Sequence, residues 1–325
     1  MLRFLSWMLV VIVIFAGLAW WKWRLPPTTN EVPNPTLLSL IRNTPTPTPP
    51  QSVKLLFGGD LMFDRHIRQF INTNSVEFPL EPLAETFGQY DAVIANLEGP
   101  VTSYPSRSVN TVPGSTNNFI FTFDPSIVPL LKQHRFIVNL GNNHILNFGA
   151  NGVAQTKQFL IDGQVEFFGN TNTETQSSER VLLKNFGKLT LAFVNYNQFV
   201  DRGLPTALAD VVYARPLADL IIVMPHWGNE YQSTANVTVQ NWAHQLIDAG
   251  SDLIIGGHPH VIQQSEEYSG KMIYYSLGNF VFDQYFEPAV QRGLLVSVEI
   301  KPDKTMIFTE IPIQLERTGQ TTLAN

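Results

Sequence analysis

Five short polar clusters in this chain each follow an apolar, β-branched run, and each holds side chains able to ligate a divalent cation. They are Gly59-Asp60 after 53–57, Asn96-Leu97-Glu98 after 91–95, Gly141-Asn142-Asn143-His144 after 136–140, His226-Trp227-Gly228 after 220–224, and Gly257-His258-Pro259-His260 after 253–255. Carboxylate, carboxamide and imidazole together make the donor set of a divalent transition-metal site. Asp60 and Glu98 are the candidate carboxylates, Asn143 the neutral oxygen donor, and His226, His258 and His260 the imidazoles. On an extended backbone residues two apart share a face, so His258 and His260 project together, as do Asn96 and Glu98. Such a set suits one ion, or two bridged by a carboxylate, clamping an oxyanion and activating a bound water. His144, beside Asn143, is expected to face the substrate as general acid or charge stabiliser. Arg65 either binds an anionic group near the metals or is solvated on a helix surface. His66, His134 and His244 lie outside this pattern and are assigned to structure or surface.

Residues so far apart in sequence meet only if the apolar runs are strands of one architecture, whose carboxyl ends gather along one edge. The spacing predicts helices over 81–87, 125–132, 149–161 and 236–249. The last carries an apolar stripe of Val239, Trp242, Ala243, Leu246 and Ile247 and stops at Gly250. Strands alternating with helices predict an α/β fold with much parallel pairing. Two hairpins are expected later in the chain, one of 181–186 and 189–194 about Gly187-Lys188, the other of 294–300 and 306–313 about Pro302-Asp303-Lys304. No motif marks 197–218.

The chain has 325 residues, 44% of them hydrophobic, a formal net charge of −6 and no cysteine. That composition supplies a full core, excludes thiolate chemistry, disulfides and cysteine-based zinc sites, and leaves no basic footprint for nucleic acid. Residues 4–21 form an uncharged apolar stretch long enough to cross a bilayer, preceded by Arg3 and followed by Lys22 and Arg24, with Trp20, Trp21 and Trp23 at its end as an interfacial belt. The competing reading is a cleaved signal peptide with Gly17-Leu18-Ala19 as its site. The expected organisation is a membrane anchor or signal segment over 1–24 and a proline-rich, semi-rigid linker over 25–52. A single folded body over 53–316 and a tail over 317–325 complete it. The body is expected on the extracytoplasmic side of the cell membrane.

The clusters also carry a resemblance. Gly59-Asp60-Leu61-Met62 with Arg65, Asn96-Leu97-Glu98-Gly99-Pro100, Asn142-Asn143-His144 with Gly149, His226-Trp227-Gly228 with Glu230-Tyr231, Gly257-His258-Pro259-His260-Val261, and Tyr275-Ser276-Leu277-Gly278-Asn279-Phe280-Val281-Phe282-Asp283 resemble the bacterial capsule-synthesis CapA family, associated with poly-γ-glutamate. That family is similar in fold to the calcineurin-like metallophosphoesterases. The resemblance implies a four-layer αββα sandwich, ligation of one or two divalent ions (Mn, Fe or Zn) by Asp60, Glu98, Asn143, His226, His258 and His260, and His144 at the substrate. Two departures stand out: Met62 occupies the place of the first motif's histidine, and Glu98 that of an aspartate. Loss of the imidazole is expected to weaken one metal position, giving a one-metal or weakly bimetallic site. The implied role is a membrane-anchored protein of capsule or poly-γ-glutamate synthesis or export with a metal-dependent hydrolase site, acting on a phosphoester or amide. The alternative is a non-catalytic subunit of a membrane synthase or exporter that binds the anionic polymer.

Overall fold

A computed structural model describes residues 52–169 and 172–324. The span 4–21 and the linker lie outside these residues; among the described residues no helix is long and apolar enough to cross a membrane. The body is a mixed α/β sandwich of two sheets.

In the first sheet β1 (Val53–Leu61), β2 (Ala92–Leu97), β3 (Phe136–Asn139) and β4 (Glu166–Phe168) run parallel in that order. The second sheet holds β5 (Leu182–Phe186), β6 (Leu189–Asn197), β7 (Leu220–His226), β8 (Leu253–Ile255), β9 (Ser265–Tyr268) and β10 (Lys271–Tyr274), in the order β5-β6-β7-β8-β10-β9. There β6, β7, β8 and β10 are parallel and the two edges antiparallel. The chain then returns to the first sheet. β11 (Asn279–Val281) pairs with the far end of β1, and β12 (Arg292–Ile300), β13 (Met306–Leu315) and β14 (Thr321–Leu323) extend it antiparallel. Both predicted hairpins are present, as β5–β6 and β12–β13.

Period-two alternation builds the layers. Leu55 and Phe57 of β1 point into the apolar space between the sheets, meeting Phe193, Ile222 and Met224 of the second. Leu56 points the other way, into a cluster shared with helices α1 (Arg65–Thr73), α2 (Ala84–Phe87), α3 (Ile127–Gln133) and α4 (Gly149–Asp162). The outer face of the second sheet repeats this, with Ala192, Val194, Ile221 and Val223 covered by two more helices. A short α5 (Ser177–Arg180) precedes these, which are α6 (Gly203–Ala214) and α7 (Val237–Asp248). Each large aliphatic side chain fully buried in these layers contributes roughly 1.5–3 kcal/mol. Asn236 caps α7 by accepting the Val239 N–H at 3.0 Å, and Gly250 beyond its end takes φ +118, a value that costs glycine little.

Three expectations need correction. The helix predicted over 81–87 splits into a 3-10 turn, Glu81–Leu83, followed by α2, Pro82 falling in the turn. The unassigned 197–218 contains α6, whose buried Ala207, Val211 and Ala214 face the second sheet. The stretch 317–325 is not simply a tail, because its β14 pairs with β13 and buries Thr321.

Candidate metal centre

Every predicted donor stands at or just past the carboxyl end of a parallel strand. The first sheet contributes Asp60 from β1, Glu98 one residue past β2, and Asn143 and His144 after β3. The second contributes His226, the last residue of β7, and His258 and His260 after β8. Carboxylates and the amide thus come from one sheet and the three imidazole donors from the other.

A close approach aims Asp60. At Gly59 a Cβ would lie 1.8 Å from the Gly278 carbonyl oxygen, so only glycine lets β1 press against the backbone before β11. The β1–β2 register shifts between Phe57 and Asp60, and the Asp60 N–H donates to Gly278 O at 3.2 Å. The following side chain turns into the crevice.

Glu98 sits at the centre. Its Oε1 is 3.8 Å from His226 Nε2, 3.7 Å from His260 Nε2 and 3.8 Å from His144 Nε2. Asp60 Oδ2 is 3.5 Å from His260 Nδ1 and accepts the His258 N–H at 3.1 Å; its Oδ1 accepts from Asn96 Nδ2 at 2.8 Å. His226 Nε2 lies 2.8 Å from Asn143 Oδ1 and 3.1 Å from His258 Nδ1. Donors bound about 2.1 Å from one ion sit about 3–4 Å from one another, which is the spacing found here. Three overlapping triads bring their donor atoms within 4.8 Å: Glu98-His226-His258, Asp60-Glu98-His260 and Glu230-His258-His260.

The chemistry of the donors agrees with their spacing. Both carboxylate oxygens of Glu98 are buried without a hydrogen-bond partner. Such a group is costly unless it is neutral or faces a cation. Burial, with Asp60 and Glu230 nearby, lifts Glu98 well above the usual carboxylate range. Burial also pushes Asp60 up to about 7, against the pull of its hydrogen bonds from Asn96 and the His258 N–H. Burial lowers His144 and His258 to about 4, and His226 and His260 well below their ordinary value. The imidazoles are therefore neutral, the form that ligates metal.

Neighbouring amides fix the imidazole tautomers. Asn279 Nδ2 donates to Val290 O at 2.9 Å, so its Oδ1 accepts from His260 Nδ1 at 2.9 Å and His260 Nε2 turns a lone pair toward Glu98. Asn147 Oδ1 accepts the Phe121 N–H at 2.7 Å and His144 Nδ1 at 3.1 Å, leaving the His144 Nε2 lone pair facing the crevice. Asn96 Nδ2 stands 3.2 Å from His226 Nδ1, placing the His226 proton on Nε2, where Asn143 Oδ1 accepts it. Ligation through that Nε2 requires the proton to leave.

Arg65, a predicted contributor, and Met62, which stands in place of a motif histidine, both lie apart from the donors. Arg65 lies between Phe121 and Phe282, 5.1 and 5.2 Å from their ring centroids, and forms an ion pair with Asp283. Its charge already has a resident partner, and Nε alone is left buried without one. Met62 is packed in the core, its sulfur accepting the Asp64 N–H at 3.0 Å, and supplies no donor to the crevice.

With this geometry in place, comparison with known proteins is informative. Residues 54–284 match the family described as bacterial capsule synthesis protein PGA_cap. The chain belongs to that family. This PGA_cap member is 26% identical over 277 residues to the capsule biosynthesis protein CapA of Bacillus anthracis, covering 79% of this chain and 66% of the relative. It is 27% identical over 273 residues to the PGA biosynthesis protein CapA of Bacillus subtilis, covering 80% and 70%. The PGA_cap chain thus spans about two thirds of the length of these relatives. Among solved structures, a putative 5'-nucleotidase from Staphylococcus aureus aligns with a TM-score of 0.48 at 14% identity, over 80% of this chain and 53% of that one.

The sequence motifs of this PGA_cap member include Asn96, Asn279 and Glu230 without marking their orienting or ligating roles, and they leave out Asn147 altogether. Asn96 lies near the crevice end of β2 and Asn279 opens β11 opposite Asp60, which is the signal that marks them. Asn147 and Glu230 follow a donor by three and four residues in turns, where spacing carries no fixed direction.

Proposed function

We propose that this chain serves capsule or poly-γ-glutamate synthesis through a metal-dependent hydrolase site of the metallophosphoesterase type, tethered to the membrane by residues 4–21. The observation that carries the reading is Glu98, a buried carboxylate with two unsatisfied oxygens among three neutral imidazoles. Asp60, Glu98, Asn143, His226, His258 and His260 would hold the ion, of a class that includes Mn, Fe and Zn. When bound, such an ion supplies Lewis-acid polarisation of a phosphoryl or carbonyl oxygen and acidifies a water. His144 Nε2 is the atom at which a proton is taken from the attacking water or passed to the leaving oxygen or nitrogen. The Phe121 ring, tilted 31° with its centroid 4.3 Å away, and Asn147 hold that imidazole in place.

Elemental analysis of the full chain, purified in detergent, tests this, together with hydrolysis of a generic phosphoester and a γ-glutamyl peptide. The expected result is a stoichiometric transition metal and metal-stimulated cleavage of one of the two. A metal-free protein, inactive on both after reconstitution, contradicts it.

Met62 favours a second reading, a non-catalytic subunit that binds an anionic polymer for a membrane synthase or exporter. Its thioether is a core residue and leaves one donor fewer at the crevice. His258→Ala together with His260→Ala separates the two readings: unchanged polymer output from cells carrying the double variant favours the scaffold.

A further inference from the structure

One carboxylate at the crevice is left over once the buried donors are counted. Glu230 is exposed, yet one of its oxygens lies within 4.8 Å of donor nitrogens on both His258 and His260. Two of the three triads share Glu98 as their carboxylate; the third contains neither Glu98 nor Asp60. It therefore marks a position of its own, nearer solvent.

The backbone holds Glu230 there. The Trp227 N–H donates to Gly257 O at 3.2 Å and the Tyr231 N–H to Pro259 O at 2.8 Å, lacing the segment after β7 to the one after β8 on both sides of Glu230. Tyr231, His258 and His260 all hold left-handed φ values of 60, 96 and 59, which non-glycine residues adopt only where surrounding structure imposes them. The Tyr231 ring stacks 6.1 Å from that of His260. The negative charge of Glu230 reaches inward, adding to the upward shift of both Asp60 and Glu98.

We propose that Glu230, His258 and His260 form an outer cation position that takes a divalent transition ion through one carboxylate and two imidazoles, leaving Asp60, Glu98, Asn143 and His226 to the inner ion when both positions are filled, because each neutral imidazole offers one lone pair. It rests on the reading of the crevice as a metal centre, and it assigns Glu230 a ligand role there. An N2O donor set with its remaining positions open to solvent suits Zn, Mn or Fe over Ca or Mg, which prefer oxygen alone.

The test uses the full chain in detergent, stripped with chelator and titrated with Co²⁺, with Zn²⁺ followed by calorimetry and uptake by elemental analysis. The parent is expected to take up two equivalents, the weaker one responsible for part of the visible Co²⁺ absorption. Glu230→Gln should lose that equivalent or bind it about 10- to 100-fold more weakly, at least the penalty seen for groups one shell further out. Glu230→Asp should restore it in part, and Glu98→Gln should strike the tighter equivalent instead. Because Glu230 is exposed, its variants are expected to fold, and a far-UV spectrum identical to the parent's verifies this. Uptake by Glu230→Gln of the same equivalents at the same affinities overturns the outer position alone. A parent that binds no cation overturns the metal-centre reading with it.

Discussion

At Glu98 the demands of stability and of ligand binding oppose each other, because a carboxylate sealed from water without a donor weakens the fold that holds it. Glu98→Gln keeps the shape and removes the charge. The cation-free variant is expected to be at least as stable as the parent, and to lose the part of the cation-induced rise in thermal midpoint that comes from the inner position. At a thousandfold excess over Kd that rise corresponds to about 4 kcal/mol. Thermal scans with and without Mn²⁺ or Zn²⁺ measure both effects; a full cation-dependent rise in Glu98→Gln contradicts the assignment. His144 belongs to none of the three donor triads. His144→Asn is therefore expected to leave cation uptake intact while lowering kcat by about 10²- to 10⁴-fold, the usual contribution of a proton-transfer group. Equal loss of uptake and turnover would make it a ligand.

Among the elements, three aspartates perform one task at the openings of β2, β7 and β8. Asp91, Asp219 and Asp252 each accept a neighbouring strand's N–H, from Lys54, Thr190 and Ile221 at 2.8, 2.8 and 2.9 Å, and each donates its own N–H to the same residue's carbonyl. These closed pairs pin the parallel register at the end opposite the crevice. Asp252→Ala strands the Ile221 N–H and unpairs Arg215 and Lys271, and is expected to cost about 1–3 kcal/mol in a denaturant titration. Gly59→Ala, whose Cβ would strike the Gly278 carbonyl, is expected to cost about 3 kcal/mol or more or to prevent folding. The five strands that carry donors were legible in the sequence because each is a compact apolar run ended by polar donors, and α7 because its stripe and cap agree. α6 was not. Gly203 and Pro205 in its first turn read as loop punctuation, and its inner face is built from small alanines that carry little hydrophobic signal. β4, β11 and β14 are three residues each, too short for a period to show, and exist because longer neighbours offer them a free edge.

For the molecule as a whole, the crevice groups govern the dependence of stability on pH in the absence of cation. Four imidazoles, His144, His226, His258 and His260, are held below their ordinary 6.5, so the unfolded chain binds more protons there and stability rises as pH climbs toward that value. Asp60 and Glu98 are raised above 3.8 and 4.5, so the folded chain holds protons that the unfolded one has released, and stability falls with pH up to their folded values. Below 6.5 four groups outweigh two; above it only the carboxyls act. Stability in chelator is expected to peak near pH 6.5, and saturating cation to abolish the decline on the alkaline side. Urea midpoints across that range check this, and an unchanged alkaline limb with cation present contradicts it. The proposed tether through residues 4–21 is tested by fractionation: the 325-residue chain should sediment with membranes and a chain beginning at residue 53 should not. A further consequence lies in the way the donors are divided between the sheets. Since the oxygens of the inner, Glu98-centred position arrive before β5 and its ring nitrogens after it, neither half of the polypeptide owns that inner coordination sphere. An ion at the inner position would act as a rivet through both sheets, and a chain cut between β4 and α5 would need both pieces rejoined before it could hold that ion.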